Sequence, residues 1–175
     1  MAEATVRAAG PQDYDAIRDL TLEVYVGGGL AGPDYRATLA DVEGRARCTD
    51  LLVAVVDDRV VGSVALAWHG AAYAEITAGP EEAAFRMLAV SPLARGRGIG
   101  RALVQACVDR VRSAGVRRIV ISSEPSMLAA HRLYASMGFW RAPARDWSPQ
   151  PGIDLLCYIL ALDPDCDAPD PTSLS

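Results

Sequence analysis

The stretch Met87-Leu-Ala-Val-Ser-Pro-Leu-Ala-Arg-Gly-Arg-Gly-Ile-Gly-Arg-Ala-Leu-Val104 decides how the rest of the chain is read. An apolar, strand-like run ends at Pro92. A loop of arginines and glycines, Arg95-Gly96-Arg97-Gly98-Ile99-Gly100, then opens an amphipathic helix with Arg101 in its first turn. Glycine lets the backbone approach a ligand closely. Free N–H groups and the dipole at a helix N-terminus favour an anion, and guanidinium forks match phosphate. The expectation is a pyrophosphate cradle, and the rest of the chain must say which phosphate ligand it takes.

Composition narrows the field. The chain has 175 residues and is 51% hydrophobic, which suits one domain with a proper core. Its net charge of −5 disfavours a nucleic-acid binder, because phosphate contacts need a basic face. All 17 basic residues are arginine, and lysine and asparagine are absent, so no lysine Schiff base or P-loop lysine can occur. Cysteines at 48, 107, 157 and 166 show no C-x-x-C spacing, and only His69 and His131 could join them, so neither a metal site nor a disulfide framework is expected. The N-terminus lacks a signal-peptide pattern and no apolar run reaches about 18–20 residues, so the expected setting is cytoplasmic, away from membranes. A homodimer stays open.

Taken in order, residues 5–8 can be a strand and 13–26 an amphipathic helix, with Ile17, Leu20 and Val24 on one face. Gly27-Gly28-Gly29 stops it. Pro33 opens a second helical stretch, through Leu39 to Arg47, whose weak apolar face predicts a flap. Residues 51–56 and 60–68 read as a hairpin around Asp57-Asp58, 69–82 as a loop, and 83–90 as the strand leading into the cradle. The helix at 98–114 carries Ile99, Leu103, Cys107 and Val111 as one stripe, ended by Gly115. A strand at 118–122 then implies a right-handed crossover between parallel strands. A helix at 126–137, a start of strand at Phe139-Trp140, a Pro-broken loop at 142–152 and an apolar strand at 153–162, expected to be buried on both faces, complete a single domain over 1–162. The acidic, Pro-rich tail at 163–175 reads as disordered.

Three glycine-loop readings can be tested. A Walker loop needs a lysine and is excluded. A dinucleotide fingerprint lacks its third glycine, because Arg101 stands in that place. Arg95-x-x-Gly98-x-Gly100, after Leu88-Ala-Val90 and before a helix, resembles the acetyl-CoA signature of the GNAT superfamily of N-acetyltransferases. Leu133-Tyr-Ala-Ser-Met-Gly-Phe139 is similar to that family's second signature, and the element order agrees over roughly residues 4–162. The resemblance implies an α/β (α+β) fold: a mixed, mostly antiparallel sheet of six to seven strands with a splayed parallel pair, flanked by four helices.

The resemblance also implies roles. Leu88, Ala89 and Val90 would offer backbone groups to the pantetheine arm as an added strand. The segment Arg95, Gly96, Arg97, Gly98, Ile99, Gly100 and Arg101 would hold the pyrophosphate, a backbone N–H near Val90 would polarise the thioester carbonyl, and Tyr134 would protonate the departing thiolate. The reaction implied is direct attack of an amine on acetyl-CoA through a tetrahedral intermediate, without metal. Two positions depart from the family pattern: Met127 stands where an asparagine is common, and Ala84 where some members carry a glutamate base. Glu82, on the same strand face as Ala84, is the candidate base acting through water, with Glu75 and Glu81 as rivals. The acceptor site would draw on Tyr25, Glu75 and Trp147, an acidic and aromatic surface suited to a cationic small-molecule amine. A protein lysine or N-terminal acetyltransferase and a non-catalytic acyl-CoA-binding module are the alternatives.

Overall fold

The structure is a computed structural model and describes residues 3–163. The expected tail therefore lies outside the described residues except for its first position. Strands are β1 (Thr5–Ala8), β2 (Asp50–Val56), β3 (Arg59–Trp68), β4 (Glu82–Val90), β5 (Arg118–Ser123), β6 (Trp140–Arg141), β7 (Trp147–Gln150) and β8 (Ile153–Ala161). Helices are α1 (Tyr14–Leu22), α2 (Arg36–Ala40), α3 (Val42–Cys48), α4 (Ile99–Ser113) and α5 (Leu128–Ser136), with a π-turn at Glu23–Gly27 continuing α1.

The sheet runs β1-β2-β3-β4-β5-β8-β6, and β7 also pairs with β8. Every pairing is antiparallel except β4 with β5. Helices cover both faces, which explains the uninterrupted apolar run in β2. Leu52 and Ala54 pack with Ile99, Leu103, Cys107 and Val111 of α4. Leu51 and Val53 point the other way, into Ile17 of α1 and Val42 of α3. A strand covered on both faces reads as a continuous hydrophobic stretch. Helix α4 lies close on the sheet because β3 carries Gly62 beneath it: a Cβ there would stand 2.9 Å from both Ile99 and Leu103.

The fold corrects several local expectations. The stretch after Pro33 is not one loosely held flap. It breaks at Asp41, whose carboxylate accepts from the Gly44 N–H and caps α3, and Leu39, Val42 and Arg45 are buried. The Pro-broken region at 142–152 contains β7. Strand β8 is buried only at Cys157–Ile159, exposed at Asp154 and half-covered elsewhere, because it lies towards the sheet edge with only β6 and β7 beyond it.

Candidate active site

The parallel ladder between β4 and β5 has three rungs, Glu82–Arg118, Ala83–Ile119 and Ala84–Val120. Beyond Ala84 the strands part, and β4 keeps hydrogen-bonding to β3 alone. The parting coincides with an irregularity in β4. Opposite Ser63 and Ala65, β4 has one residue too many between Ala89 and Arg86, and Met87 takes a left-handed φ of 54°. A bulge of this kind bends a strand and re-aims its edge, at a cost of about 1–3 kcal/mol for a non-glycine residue in that region. Arg45 braces it from below: its Nη1 lies 3.0 Å from the Met87 sulfur and donates to the Leu39 carbonyl at 3.2 Å.

The opened edge forms one wall of a groove of about 610 Å³. Leu88 and Val90 line it, and the glycine–arginine loop closes its end. Gly98 is the residue before α4, at φ 74°, and no side chain caps the helix; its first intrahelical bond is Ala102 N–H to the Gly98 carbonyl. The N–H groups of residues 99–101 therefore have no acceptor within the helix. A Cβ on Gly96 or Gly98 would meet only open space, so these glycines serve the left-handed backbone and not clearance from protein atoms. Of the cradle residues expected from sequence, Arg95, Gly96, Gly98, Ile99, Gly100 and Arg101 line the groove. Arg97 does not, and the Ala89 side chain is buried the other way against Leu20 and Val24. Arg101 Nη2 also donates to Ser136 Oγ at 2.6 Å, tying α4 to the end of α5.

At Leu30, Leu88 and Met127 the groove opens into a second cavity of about 340 Å³. Tyr134 stands in its wall, 5% exposed, with its ring 5.9 Å from Phe85 and 5.6 Å from Phe139. Burial drives the Tyr134 phenol well above its usual value, so it stays protonated. Tyr25 lines the same cavity and donates to the Leu88 carbonyl at 3.0 Å, occupying one of that carbonyl's two lone pairs. Glu124, just beyond β5, faces the cavity too, and burial pushes its carboxyl upward. Ser123 joins the lining, with its hydroxyl 3.1 Å from His131 Nε2. Burial lowers the pKa of His131, so that its neutral form prevails at pH 7.

Three expected site residues lie elsewhere. Glu82 is 2% exposed and lines neither cavity. Arg145 grips both its oxygens at 2.8 and 3.0 Å, the Ala78 N–H donates at 2.8 Å, and Arg118 stands 3.7 Å away. Burial acts to raise its pKa, but these partners outweigh it and hold the carboxyl below the usual glutamate range. In this arrangement it anchors the start of β4 and is closed off from both cavities. Glu75 pairs with Arg86 on the surface, and Trp147 sits on β7 with its indole N–H buried and without a partner among the described residues; neither lines either of these two cavities. The residues missed were Glu124, Arg86 and Tyr35. Glu124 had a signal: it follows the apolar run of a strand in a strand–helix–strand crossover, and ligands gather beyond the carboxyl ends of parallel strands. Arg86 and Tyr35 had none, since one sits inside a strand and the other in a turn. Cys107 is fully buried with its thiol pushed up to about 12, which makes it a core residue and not a nucleophile.

The model of the acetyltransferase (GNAT) family matches residues 14–139. No curated protein matches the chain significantly. Among solved structures, a GNAT-family acetyltransferase from Staphylococcus aureus is 14% identical, covers 92% of this chain and 100% of its own, and gives a TM-score of 0.74. A Salmonella typhimurium protein solved with its cofactor acetyl-CoA is 24% identical over 96% of this chain and 98% of its own, at 0.70. The ribosomal-protein-S18-alanine N-acetyltransferase of Escherichia coli is 19% identical over 92% and 95%, at 0.68.

Proposed function

The chain belongs to the acetyltransferase (GNAT) family, and from that premise we propose that it moves an acetyl group from acetyl-CoA to the primary amine of a small molecule. One observation carries the proposal: the β4 edge freed beyond Ala84 runs from the uncapped N-terminus of α4 to Tyr134, so a phosphate cradle and a proton donor lie at the two ends of one continuous space. When bound, acetyl-CoA supplies an activated acyl thioester. The backbone of residues 95–101 holds the pyrophosphate, and the β4 edge orients the pantetheine arm by added-strand hydrogen bonds. Positioning and carbonyl polarisation by a backbone N–H then account for most of the acceleration. Tyr134, kept protonated by burial, gives its proton to the leaving sulfur. Glu124, raised by burial and facing the same cavity, takes the proton from the incoming amine, the role that sequence spacing assigns to Glu82.

The three described cysteines are free, and among the described residues no helix is long and apolar enough to cross a membrane. Both fit a cytoplasmic setting. A thiol-release assay with acetyl-CoA across amines, amino acids and peptides tests the proposal. Turnover on a small amine is expected, and tight CoA binding with no thiol release on any amine would overturn it. Acetylation of a protein N-terminus is the second reading, favoured by the fold shared with the Escherichia coli enzyme; preferential turnover of peptides would select it.

A further inference from the structure

One wall of the 340 Å³ cavity carries more positive charge than the reaction needs. Arg86, on β4 beside the bulge, lines it with its side chain 22% exposed. Its Nη1 meets both Glu75 oxygens at 3.1 and 3.2 Å, and its Nη2 donates to the Tyr35 hydroxyl at 3.2 Å. Its Nε has no acceptor among the described residues. Glu75 reaches this arginine from outside the cavity and is 54% exposed, so the pair is of the weak surface kind, worth about 0–1 kcal/mol. Tyr35 also lines the cavity. Its oxygen accepts from Arg86, which leaves its own proton free to donate inward.

A second guanidinium stands behind this wall. Arg45 is 1% exposed, forms no salt bridge among the described residues, feels only the more distant charge of Asp41, and leaves its Nε without an acceptor there. Its charge is felt by Tyr25 and Tyr35, both in the cavity wall. A buried cation held by carbonyls and only a remote acid is incompletely compensated, and an anion placed nearer to it recovers part of the cost of burial. The acids of the cavity are Glu124, beside Ser123, and the exposed Asp34 next to Tyr35 in sequence. The space thus offers a proton acceptor in one part and unsatisfied donors in another.

We propose that the acceptor carries a carboxylate as well as its amine, in the manner of a free amino acid, and that Arg86 and Tyr35 hold that carboxylate. This rests on the acetyl-transfer reading and names its substrate class. Arg86 supplies charge and its Nε–H, Tyr35 a directed O–H, and Arg45 a buried field behind them. The amine end then faces Glu124 and Tyr134. A peptide N-terminus has an uncharged carbonyl where the free amino acid has its carboxylate, and leaves this wall unused.

The test compares L-amino acids, their carboxamides and short peptides by thiol release, and measures amino-acid binding to the CoA-loaded protein by calorimetry. Free acids are expected to exceed their carboxamides about ten-fold or more in kcat/KM, the scale of one charge-assisted hydrogen bond. Arg86→Gln is expected to raise KM for the acids and bring the acid-to-carboxamide ratio to about one. Tyr35→Phe, which removes only a hydroxyl, should lower the same ratio by a smaller factor. Carboxamides or peptides equal to the acids, an unchanged ratio in Arg86→Gln, or no amino-acid binding would each overturn the proposal. Amino-acid binding that needs Arg86 without acetylation of any amine would sink the transfer reading and leave this site standing.

Discussion

The two cavities that meet at Leu88 are built by different means. The groove towards Gly98 owes its polar groups to backbone, an unpaired strand edge, a left-handed glycine and the free N–H groups of a helix start, set among apolar side chains such as Val24, Leu30, Leu128 and Leu133. The pocket towards Glu124 is walled by side chains from the α1 end, the Pro33 turn, β4, the β5 end, α5 and the Pro149–Pro151 stretch. Backbone surfaces depend on conformation, so glycine and strand pairing control them. Side-chain surfaces depend on which distant segments happen to converge. Substitutions in the groove should therefore act through backbone shape and charge, and substitutions in the pocket through single functional groups.

The largest expected effect is in the groove. Gly98→Asp forces a side chain onto a φ of 74° and sets a negative charge at the anion site. The left-handed conformation alone costs about 1–2 kcal/mol, and repulsion adds to it, so calorimetry should show CoA affinity falling by about two orders of magnitude or more. Near-normal affinity would mean the phosphates bind elsewhere. Next comes Glu124→Gln in the pocket. A lost general base lowers kcat by about 10²-fold or more. Wild-type kcat/KM should fall on the acid side at a pH above the ordinary glutamate value, because burial raises Glu124, and the variant should lose that limb. Tyr134→Phe is expected to lower kcat by about ten-fold. An unchanged rate would leave the leaving group to solvent and remove the pocket's proton donor.

The same contrast explains what could be read from sequence. The cradle is contiguous, and its chemistry follows from glycine, arginine and helix-start rules applied to residues 95–101. The helix-flanked sheet followed from the family resemblance, and the stripe Ile99–Leu103–Cys107–Val111 marked the face of α4 that packs on it. The pocket could not be read in this way. Glu82 and Glu124 lie 42 positions apart and look alike as letters. Only the register that sets Glu82 beside Arg118, and the turn that brings Arg145 over it, separate an anchored carboxylate from an available one. Trp147 was as hard to place from sequence: it lies on β7 but does not line this cavity, while Pro149 and Gln150 do.

Glu82→Gln should have the smallest effect on turnover and a clear effect on stability. Its carboxylate joins the start of β4 to Arg145, and Arg145 also donates to the Ile76 carbonyl at 2.6 Å, so one ion pair ties the sheet to the loop before it and the turn before β7. The amide keeps the shape but loses the charge. At pH 7 the loss should be about 1.5–3 kcal/mol, the range for a hydrogen bond to a charged group, seen as a lower Tm with kcat nearly unchanged. The pH dependence carries the sharper test. The folded-state pKa of Glu82 is depressed, so its contribution is present above the unfolded glutamate value and is lost as pH falls through the folded one. Wild type should therefore lose Tm on acidification below about pH 4.5 more steeply than Glu82→Gln, and the two curves should converge at low pH. Parallel curves would show that Glu82 is not the anchor, and a collapse of kcat at unchanged Tm would return it to the list of candidate bases and blur the line between the two carboxylates.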